Sequence, residues 1–144
     1  MTQLQAPGWP GELGPLQLAW LGDAVWELHQ RMRRCRQPGR SADLHRAVVA
    51  DVRADAQAHA LDRLQEKGFL REEELEWVRK GRNKAGRGPR KGEAGVYGKA
   101  TGFETMVGWL FLQNANSEQL SQIEAVNAEL PFTGATRSLT DSAA

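Results

Sequence analysis

Apolar residues at helical spacing run through the first quarter of this 144-residue chain. Each member of the series follows the last by three or four positions: Leu18, Leu21, Val25, Leu28 and Met32. This spacing is typical of a helix with one buried stripe. Pro15 suits the first turn, where a missing N–H is tolerated, and Pro38-Gly39 end the pattern. The sequence therefore predicts a long helix from Pro15 to about Arg36, packed against other helices through its stripe.

One carboxylate interrupts this apolar helix. Asp23 borders the stripe, and aspartate has a poor propensity for the middle of a helix. A carboxylate in such a place is costly unless a metal, a cation or hydrogen bonds compensate it. A partly exposed Asp held by a nearby Arg would fit the same letters. Asp23 is therefore a candidate metal ligand, with an ion pair as the alternative.

The middle of the chain predicts more helix. Ser41 is a good N-cap for the next segment, whose apolar positions keep helical spacing as far as Leu64. A break near Asp51 would divide the segment in two. Gly68 ends it, as glycine commonly does after a helix.

Three more helices are predicted in the second half. Glu72 to Lys80 is acidic at its start and basic at its end, as the helix dipole favours. A strongly apolar helix follows from Thr101 to about Gln113, and Ser117 caps a last one. No segment has the alternation of a half-buried strand. The sequence predicts an all-α fold.

Length and composition suit one ordinary domain. With 144 residues, 40% hydrophobic and 26% charged, the chain can bury a real core. We expect that helical domain to span residues 15–130. The Pro- and Gly-rich residues 1–14, which include Trp9, predict a flexible arm, and residues 131–144 predict a flexible tail.

Cysteine usage and hydropathy bear on location. The single cysteine, Cys35, cannot form an internal disulfide and suits a reducing compartment. The N-terminus has no basic region followed by an apolar run, so no signal peptide is expected. No apolar stretch approaches the roughly 20 residues that span a bilayer. We expect a cytoplasmic protein without a membrane partner.

A second acid stands at the start of the apolar helix in the second half. Thr101-Gly102-Phe103-Glu104 has the spacing of a capping box, in which each side chain satisfies the other residue's backbone donor. Alternatively, Glu104 points across a helix pair toward Asp23. Two carboxylates on facing helices can hold a divalent ion, with water and phosphate oxygens completing its shell.

Glycine and basic residues dominate the segment between residues 81 and 98. Six glycines and one proline predict a loop there without regular structure. Basic residues in and beside it are opposed only by Glu93: Arg79, Lys80, Arg82, Lys84, Arg87, Arg90, Lys91 and Lys99. Clustered Lys and Arg are the expected footprint of a nucleic acid, and a solvated surface is the alternative.

Two segments resemble a known family. Leu18 to Leu28, with Gly22-Asp23-Ala24-Val25 at its centre, resembles the signature helix of the ribonuclease III family. Thr101 to Gly108 is similar to that family's second acidic segment. The match is closer to the small bacterial branch, Mini-ribonuclease III, which lacks a double-stranded-RNA-binding domain. Segments that resemble this branch are Asp43-Leu44-His45, Gly81-Arg82-Asn83 and Thr101 to Leu112. The resemblance covers roughly residues 15–135.

The resemblance carries site residues with it. It implies that Asp23 and Glu104 are catalytic and bind Mg²⁺. Larger ribonuclease III enzymes carry four carboxylates per site, and by resemblance two of these fall on Ala19 and Thr101. The small branch shares the reduced set, which suits one Mg²⁺ better than two. Glu27, one turn after Asp23, and Thr101 are candidate supporting residues, and for Glu27 we favour a structural role.

The implied function is Mg²⁺-dependent endonucleolytic cleavage of double-stranded RNA by a homodimer, in the maturation of the 23S ribosomal RNA precursor ends. A ribosomal protein is a further candidate partner. The basic residues above, with Asn83, would hold the RNA backbone, and the helix that carries Trp20 and Trp26 would lie near the dimer interface. The alternative is a ribonuclease III-like module that binds RNA or assists ribosome assembly with weak or no catalysis. A helical protein-interaction module is a third interpretation, which the basic loop disfavours.

Overall fold

The structure, a computed structural model, describes residues 13–86, 94–113 and 118–129. Within these ranges it is all helix, so the predicted all-α class is confirmed. The helices are α1 (Pro15–Cys35), α2 (Ser41–Val52), α3 (Ala54–Glu66), α4 (Glu72–Ala85), α5 (Ala94–Gln113) and α6 (Glu118–Glu129). Almost all of the predicted arm, with Trp9, the predicted cap Ser117 and the predicted tail lie outside the described residues.

Helix α5 is the centre of the fold. It packs most extensively against α1 and α4, and also against α3 and α6. The reason is its composition, because one apolar side chain after another faces a neighbouring helix. Phe103, Met106 and Val107 are fully buried. Trp26 of α1 meets Phe103 edge to face, with ring centroids 4.8 Å apart, a geometry that aromatic pairs prefer.

The rest of the core comes from the other five helices and the α3–α4 turn. Its buried members besides those of α5 are Leu18, Ala19, Val25, Trp26, Val48, Ala56, Ala58, Ala60, Leu61, Leu64, Leu70, Val78, Leu120 and Ile123. Burial at this scale is the dominant favourable term in folding. It holds α5 in place against its neighbouring helices.

The apolar stripe of α1 is buried over only part of its length. Leu18 and Val25 are buried, whereas Leu28 and Met32 are 40% and 52% exposed. Trp26 lies in the core and is 1% exposed, so it is not among the apolar residues of this helix that the fold leaves uncovered. Trp20 is 83% exposed. The stripe therefore divides into a core segment and an outer surface.

The predicted loop over residues 81–98 is wrong at both ends. Helix α4 continues through Gly81 to Ala85, and α5 begins at Ala94 rather than at Thr101. A helical glycine costs about 1 kcal/mol relative to alanine. Tertiary packing overrides that preference at Gly81, because a Cβ there would lie 2.3 Å from the Thr105 hydroxyl.

Two predicted caps are also wrong. Thr101 lies inside α5, where its hydroxyl donates to the carbonyl of Tyr97 at 3.0 Å, so it is not the N-cap of a capping box. Ser41 is the first residue of α2, and Arg40 takes the N-cap position. The predicted break near Asp51 falls at Arg53, whose extended backbone separates α2 from α3.

The end of α3 follows its sequence signal. Gly68 adopts a φ of +62°, a left-handed conformation that glycine takes without strain. The amide of Phe69 donates to the carbonyl of Leu64, and that of Gly68 to Gln65. These two bonds form a Schellman motif, which turns the chain toward α4.

Across the residues that the structure describes, no helix combines the length and the apolar character needed to cross a membrane.

Candidate active site

Two glycines allow α1 and α5 to cross with their backbones in contact. A Cβ on Gly22 would lie 1.8 Å from the carbonyl oxygen of Glu104, and one on Gly108 would lie 2.0 Å from that of Leu18. Real Cβ atoms do not approach backbone this closely, so only glycine fits at either position. The crossing brings the residue after Gly22 next to Glu104.

That residue is Asp23, and its carboxyl lies within hydrogen-bonding reach of the Glu104 carboxyl. Asp23 is exposed, whereas Glu104 is partly buried between helices. The pKa of Glu104 is raised to about 8, mainly by burial and further by the hydrogen bond and charge of Asp23. The two acids that the sequence singled out therefore form one pair, open to solvent on the Asp23 side.

A third side chain faces this pair from α3. Gln57 is 2% exposed, and its amide lowers the pKa of Glu104, in opposition to burial. Its Nε2 has no hydrogen-bond partner within the described ranges. A buried amide donor thus stands beside the carboxylates without a satisfied bond.

The donor set suits a hard cation with few protein ligands. Two converging carboxylates offer the oxygen atoms that Mg²⁺ prefers, and Mg²⁺ commonly uses one or two carboxylates and keeps several waters. Over residues 13–86, 94–113 and 118–129, no group of three or more His, Cys, Asp or Glu side chains could hold a metal. The pair fits Mg²⁺ with an open coordination shell and does not fit a closed structural site.

The candidate supporting residues lie beside this pair without joining it. Glu27 forms an ion pair with Arg31 at 3.5 Å on the surface of α1. Thr101, one turn before Glu104, is buried and bonded to its own helix. Ala19, one turn before Asp23, is also buried. A supporting role for Glu27 and Thr101 at the site stays a prediction, and the ion pair of Glu27 favours the structural role expected for it.

The described basic residues divide into paired and unpaired groups. Arg79 is paired with Glu76, and Lys99 with Asp62 at 3.0 Å. Lys80 lies over the ring of Trp77, with its Nζ 4.2 Å from the centroid. No ion pair involving a described residue is found for the exposed members at the end of α4, Arg82 and Lys84, beside the exposed Asn83.

The remaining residues predicted to bind RNA, Arg87, Arg90 and Lys91, lie outside the described residues. Arg82 lies close to the place where α4 crosses α5, because its Cγ would be 2.9 Å from a Cβ on Gly102. The C-terminal turn of α4 therefore carries positive charge on the helix that packs against the helix of Glu104.

Sequence reasoning missed Gln57 and the glycines at which α1 and α4 cross α5, which are Gly22, Gly81, Gly102 and Gly108. A glutamine among the alanines of α3 gives a weak signal, since an amide is common on helix surfaces. The glycines give a stronger signal. Gly22, Gly102 and Gly108 stand within strongly apolar helical segments, where glycine is unfavourable unless a neighbouring backbone needs the space.

Comparison with protein families gives a match to the ribonuclease III domain over residues 16–115. Curated relatives include the Mini-ribonuclease 3 of a Synechococcus strain, which is 41% identical over 128 residues, 89% of this chain and 88% of its own. The Mini-ribonuclease 3 of a Synechocystis strain is 44% identical over 118 residues, 81% of each chain. The similarity therefore extends over most of this chain and most of each relative.

A solved structure has the same fold. An X-ray crystal structure of a protein from Fusobacterium nucleatum superposes with a TM-score of 0.73 at 26% sequence identity. The alignment covers 83% of this chain and 94% of the other. The helical arrangement described above is therefore shared over nearly the whole of that protein.

Proposed function

We propose that this chain, which belongs to the ribonuclease III family and to its Mini-ribonuclease 3 branch, is an endoribonuclease that hydrolyses double-stranded RNA. The observation that carries the proposal is the pairing of Asp23 with Glu104 at the glycine crossing of α1 and α5. A protein that only bound RNA would have no need of two adjacent carboxylates, which repel a phosphate backbone.

Mg²⁺ is the proposed cofactor, and Asp23 and Glu104 are the residues that would hold it. When bound there, the ion supplies Lewis-acid activation of the scissile phosphate and of the attacking water. It also offsets the repulsion between the two carboxylates and the RNA.

The chain's own residues have distinct tasks in this mechanism. Asp23 is exposed and can meet a large substrate, whereas Glu104 is sheltered and its backbone is fixed by contact with Gly22. A rigid first ligand and a solvent-facing second ligand keep the site in place while RNA enters and leaves. Arg82 and Lys84, with the basic residues that follow them in sequence, would neutralise phosphates and position the duplex.

Cleavage of both strands requires two sites, so we propose a symmetric homodimer. Outward-facing apolar residues occur on α1 at intervals that keep them on one side of the helix. Their exposed fractions are 51% for Leu16, 83% for Trp20, 40% for Leu28 and 52% for Met32. The same helix carries Asp23, so an interface there would set the distance between the two sites. Sedimentation of the wild type and of Trp20→Glu tests this: we expect a dimer and a monomer, and a wild-type monomer at micromolar concentration contradicts it.

The biological substrate is proposed from the family. Trimming of the 23S ribosomal RNA precursor ends in the cytoplasm, with help from a ribosomal protein, stays a prediction. Duplex RNA is read mainly through its shape and 2′-hydroxyls, so weak sequence preference is expected of the isolated protein.

The deciding experiment uses a long RNA duplex, with Mg²⁺ and with EDTA. We expect cleavage only with Mg²⁺, and a loss in Asp23→Asn that exceeds the roughly 10–100-fold typical of outer-shell partners. Glu66→Gln is the matched control, because Glu66 is an exposed carboxylate that pairs with Arg63 on α3. Binding of the duplex without any Mg²⁺-dependent cleavage would instead support the RNA-binding module.

A further inference from the structure

Gln57 has a buried amide donor without a hydrogen-bond partner among the described residues. The side chain is 2% exposed, and the unpartnered atom is Nε2. Such atoms are rare in folded proteins, because a buried polar group without a partner loses its bonds to water and gains nothing. The position therefore calls for an explanation.

Two other buried glutamines show what such a residue does in this fold. Gln30 of α1 is fully buried and donates through Nε2 to Glu124 at 2.8 Å. Gln119 of α6 donates through Nε2 to Glu74, also at 2.8 Å. In both cases a buried amide donates to a glutamate on a neighbouring helix.

Gln57 also faces a glutamate on a neighbouring helix, but its Nε2 has no hydrogen-bond partner among the described residues. It faces Glu104 from α3, the helix that packs against α5 beside α1. The amide is close enough to lower the pKa of Glu104, as a donor to the ionised form does. What distinguishes it from the other two pairs is the acceptor, because Glu104 also interacts with Asp23.

We infer that Gln57 is a positioning residue: when Asp23 and Glu104 hold the metal, its Nε2 donates to one carboxylate oxygen of Glu104 and leaves the other oxygen directed at the metal. The inference rests on the proposed function, because it takes Glu104 to be a metal ligand. A partner that orients a ligating carboxylate is an ordinary part of a metal site, and here it comes from a third helix.

The test compares Gln57→Met with Gln30→Met, two substitutions that remove an amide of similar length from a buried position. Metal binding is measured without RNA, from the rise in Tm of each protein during a Mg²⁺ titration. We expect the apparent Kd for Mg²⁺ to weaken about 10-fold in Gln57→Met and to be unchanged in Gln30→Met.

The Tm of the metal-free proteins should show the reverse order. Gln57→Met removes a buried amide whose Nε2 has no described hydrogen-bond partner, so the Tm should stay level or rise. Gln30→Met leaves Glu124 and Arg33 without a bond that each now makes, so the Tm should fall. Gln57→Leu serves as a second donor-free variant, in case methionine packs poorly.

The outcomes separate the inference from the function on which it rests. Unchanged Mg²⁺ affinity in both Gln57 variants overturns the inference and leaves the proposed function intact. A fall in metal-free Tm with unchanged affinity assigns Gln57 to the core and also overturns it. Failure of the wild type to respond to Mg²⁺ overturns the metal site itself, and the inference with it. In cleavage assays, the positioning role predicts a lower kcat with little change in KM for the duplex.

Discussion

Helix α5 is crossed at backbone distance twice, and the two crossings carry different chemistry. At the first, Gly22 of α1 meets the backbone of Glu104, and Gly108 meets that of Leu18. At the second, Gly81 of α4 lies against Thr105 and Gly102, and a Cβ on Gly102 would be 2.6 Å from the carbonyl of Val78. Acids flank the first crossing, and basic residues follow the second.

The difference shows that the crossings fix where the helices lie, whereas the residues next to each crossing determine the chemistry available there. Next to the first, Glu104 is sheltered and its pKa is raised to about 8, so its charge is costly without a cation. Next to the second, Arg82 and Lys84 project into solvent, where charge costs little. We therefore expect substitutions at the first crossing to affect catalysis sharply, and substitutions beyond the second to affect RNA affinity in small steps.

The largest expected effect is at the first crossing. Gly22→Ala would place a methyl group 1.8 Å from a backbone oxygen, and two helices of the core would have to move apart. We expect destabilisation by about 3 kcal/mol or more, near the upper end for overpacking, with loss of cleavage in whatever protein folds. Thermal or urea unfolding measures it.

Gly95→Ala is the matched control. It lies in α5, where a Cβ would meet nothing within 4 Å, and alanine should stabilise the helix by up to about 1 kcal/mol. A Gly22→Ala protein as stable as Gly95→Ala would mean that the helices do not cross this closely.

The same glycines explain which parts of the fold were predictable. The spacing of Leu18 and Val25 indicated α1 correctly, because a buried stripe is a local pattern. The sequence predicted Gly81 to lie in a loop, because glycine has a low helix propensity. The close packing that requires glycine there involves Thr105 on another helix, which the local sequence does not reveal. Thr101 was interpreted as a cap for the same reason, since nothing near it in sequence reveals that α5 begins at Ala94.

The second effect concerns the basic surface beyond the second crossing. Replacing Arg82, Lys84, Arg87, Arg90 and Lys91 by Ser should weaken duplex binding at physiological salt by about 10-fold or more. The slope of log K against log salt should also become shallower, by about 0.7–0.9 for each phosphate that the variant no longer neutralises. Binding titrations at several salt concentrations measure both quantities.

The variant should keep its thermal stability, because Arg82 and Lys84 are exposed and all five replaced side chains are charged. The ratio of cleavage between preferred and arbitrary duplexes should also persist, since interactions with phosphates position RNA without specifying it. An unchanged affinity and slope would place the RNA-binding face elsewhere on the protein.

The candidate site was predictable in its acids and not in its surroundings. Asp23 and Glu104 were identified from an acid within an apolar helix and from the resemblance to a family. Their pairing is a property of the tertiary structure, because α1 and α5 can approach so closely only without side chains at Gly22 and Gly108. Gln57 could not be assigned from sequence, because its position facing Glu104 results from the packing of α3 on α5.

The third effect is a dependence of stability on pH. The pKa of Glu104 is about 8 in the folded protein, against 4.5 for an ordinary glutamate. The folded state therefore binds the proton more tightly, and the wild type loses stability as pH rises from about 4.5 to about 8. Glu104→Gln resembles the protonated form and avoids this loss. In EDTA we expect the variant to gain about 2 kcal/mol over the wild type by about pH 8.5, below the full value per pKa unit because water reaches the site.

The gain should vanish near pH 4.5, the ordinary pKa of a glutamate. It should shrink above the folded-state pKa when Mg²⁺ is added, because the cation stabilises only the wild-type carboxylate. Unfolding curves below, between and above these two pKa values, with Mg²⁺ and with EDTA, measure this. A constant difference between the two proteins at all pH values would contradict a raised pKa at Glu104.

The smallest effect distinguishes paired from unpaired basic residues. Lys99 already forms an ion pair with Asp62 at 3.0 Å, so a phosphate would have to compete for its ammonium group. Exposed pairs contribute little to stability, so Lys99→Gln should leave the Tm nearly unchanged and weaken duplex binding less than about 2-fold. Arg82→Gln, at a position with no described ion pair, should weaken duplex binding more and reduce the salt slope by about 0.7–0.9.

Asp62→Asn sharpens the comparison, because it releases the Lys99 charge and should tighten binding if RNA passes near the α3 side of α5. A greater loss of affinity in Lys99→Gln than in Arg82→Gln would mean that RNA approaches α5 from α3, and that the basic turn after the second crossing is of secondary importance for binding.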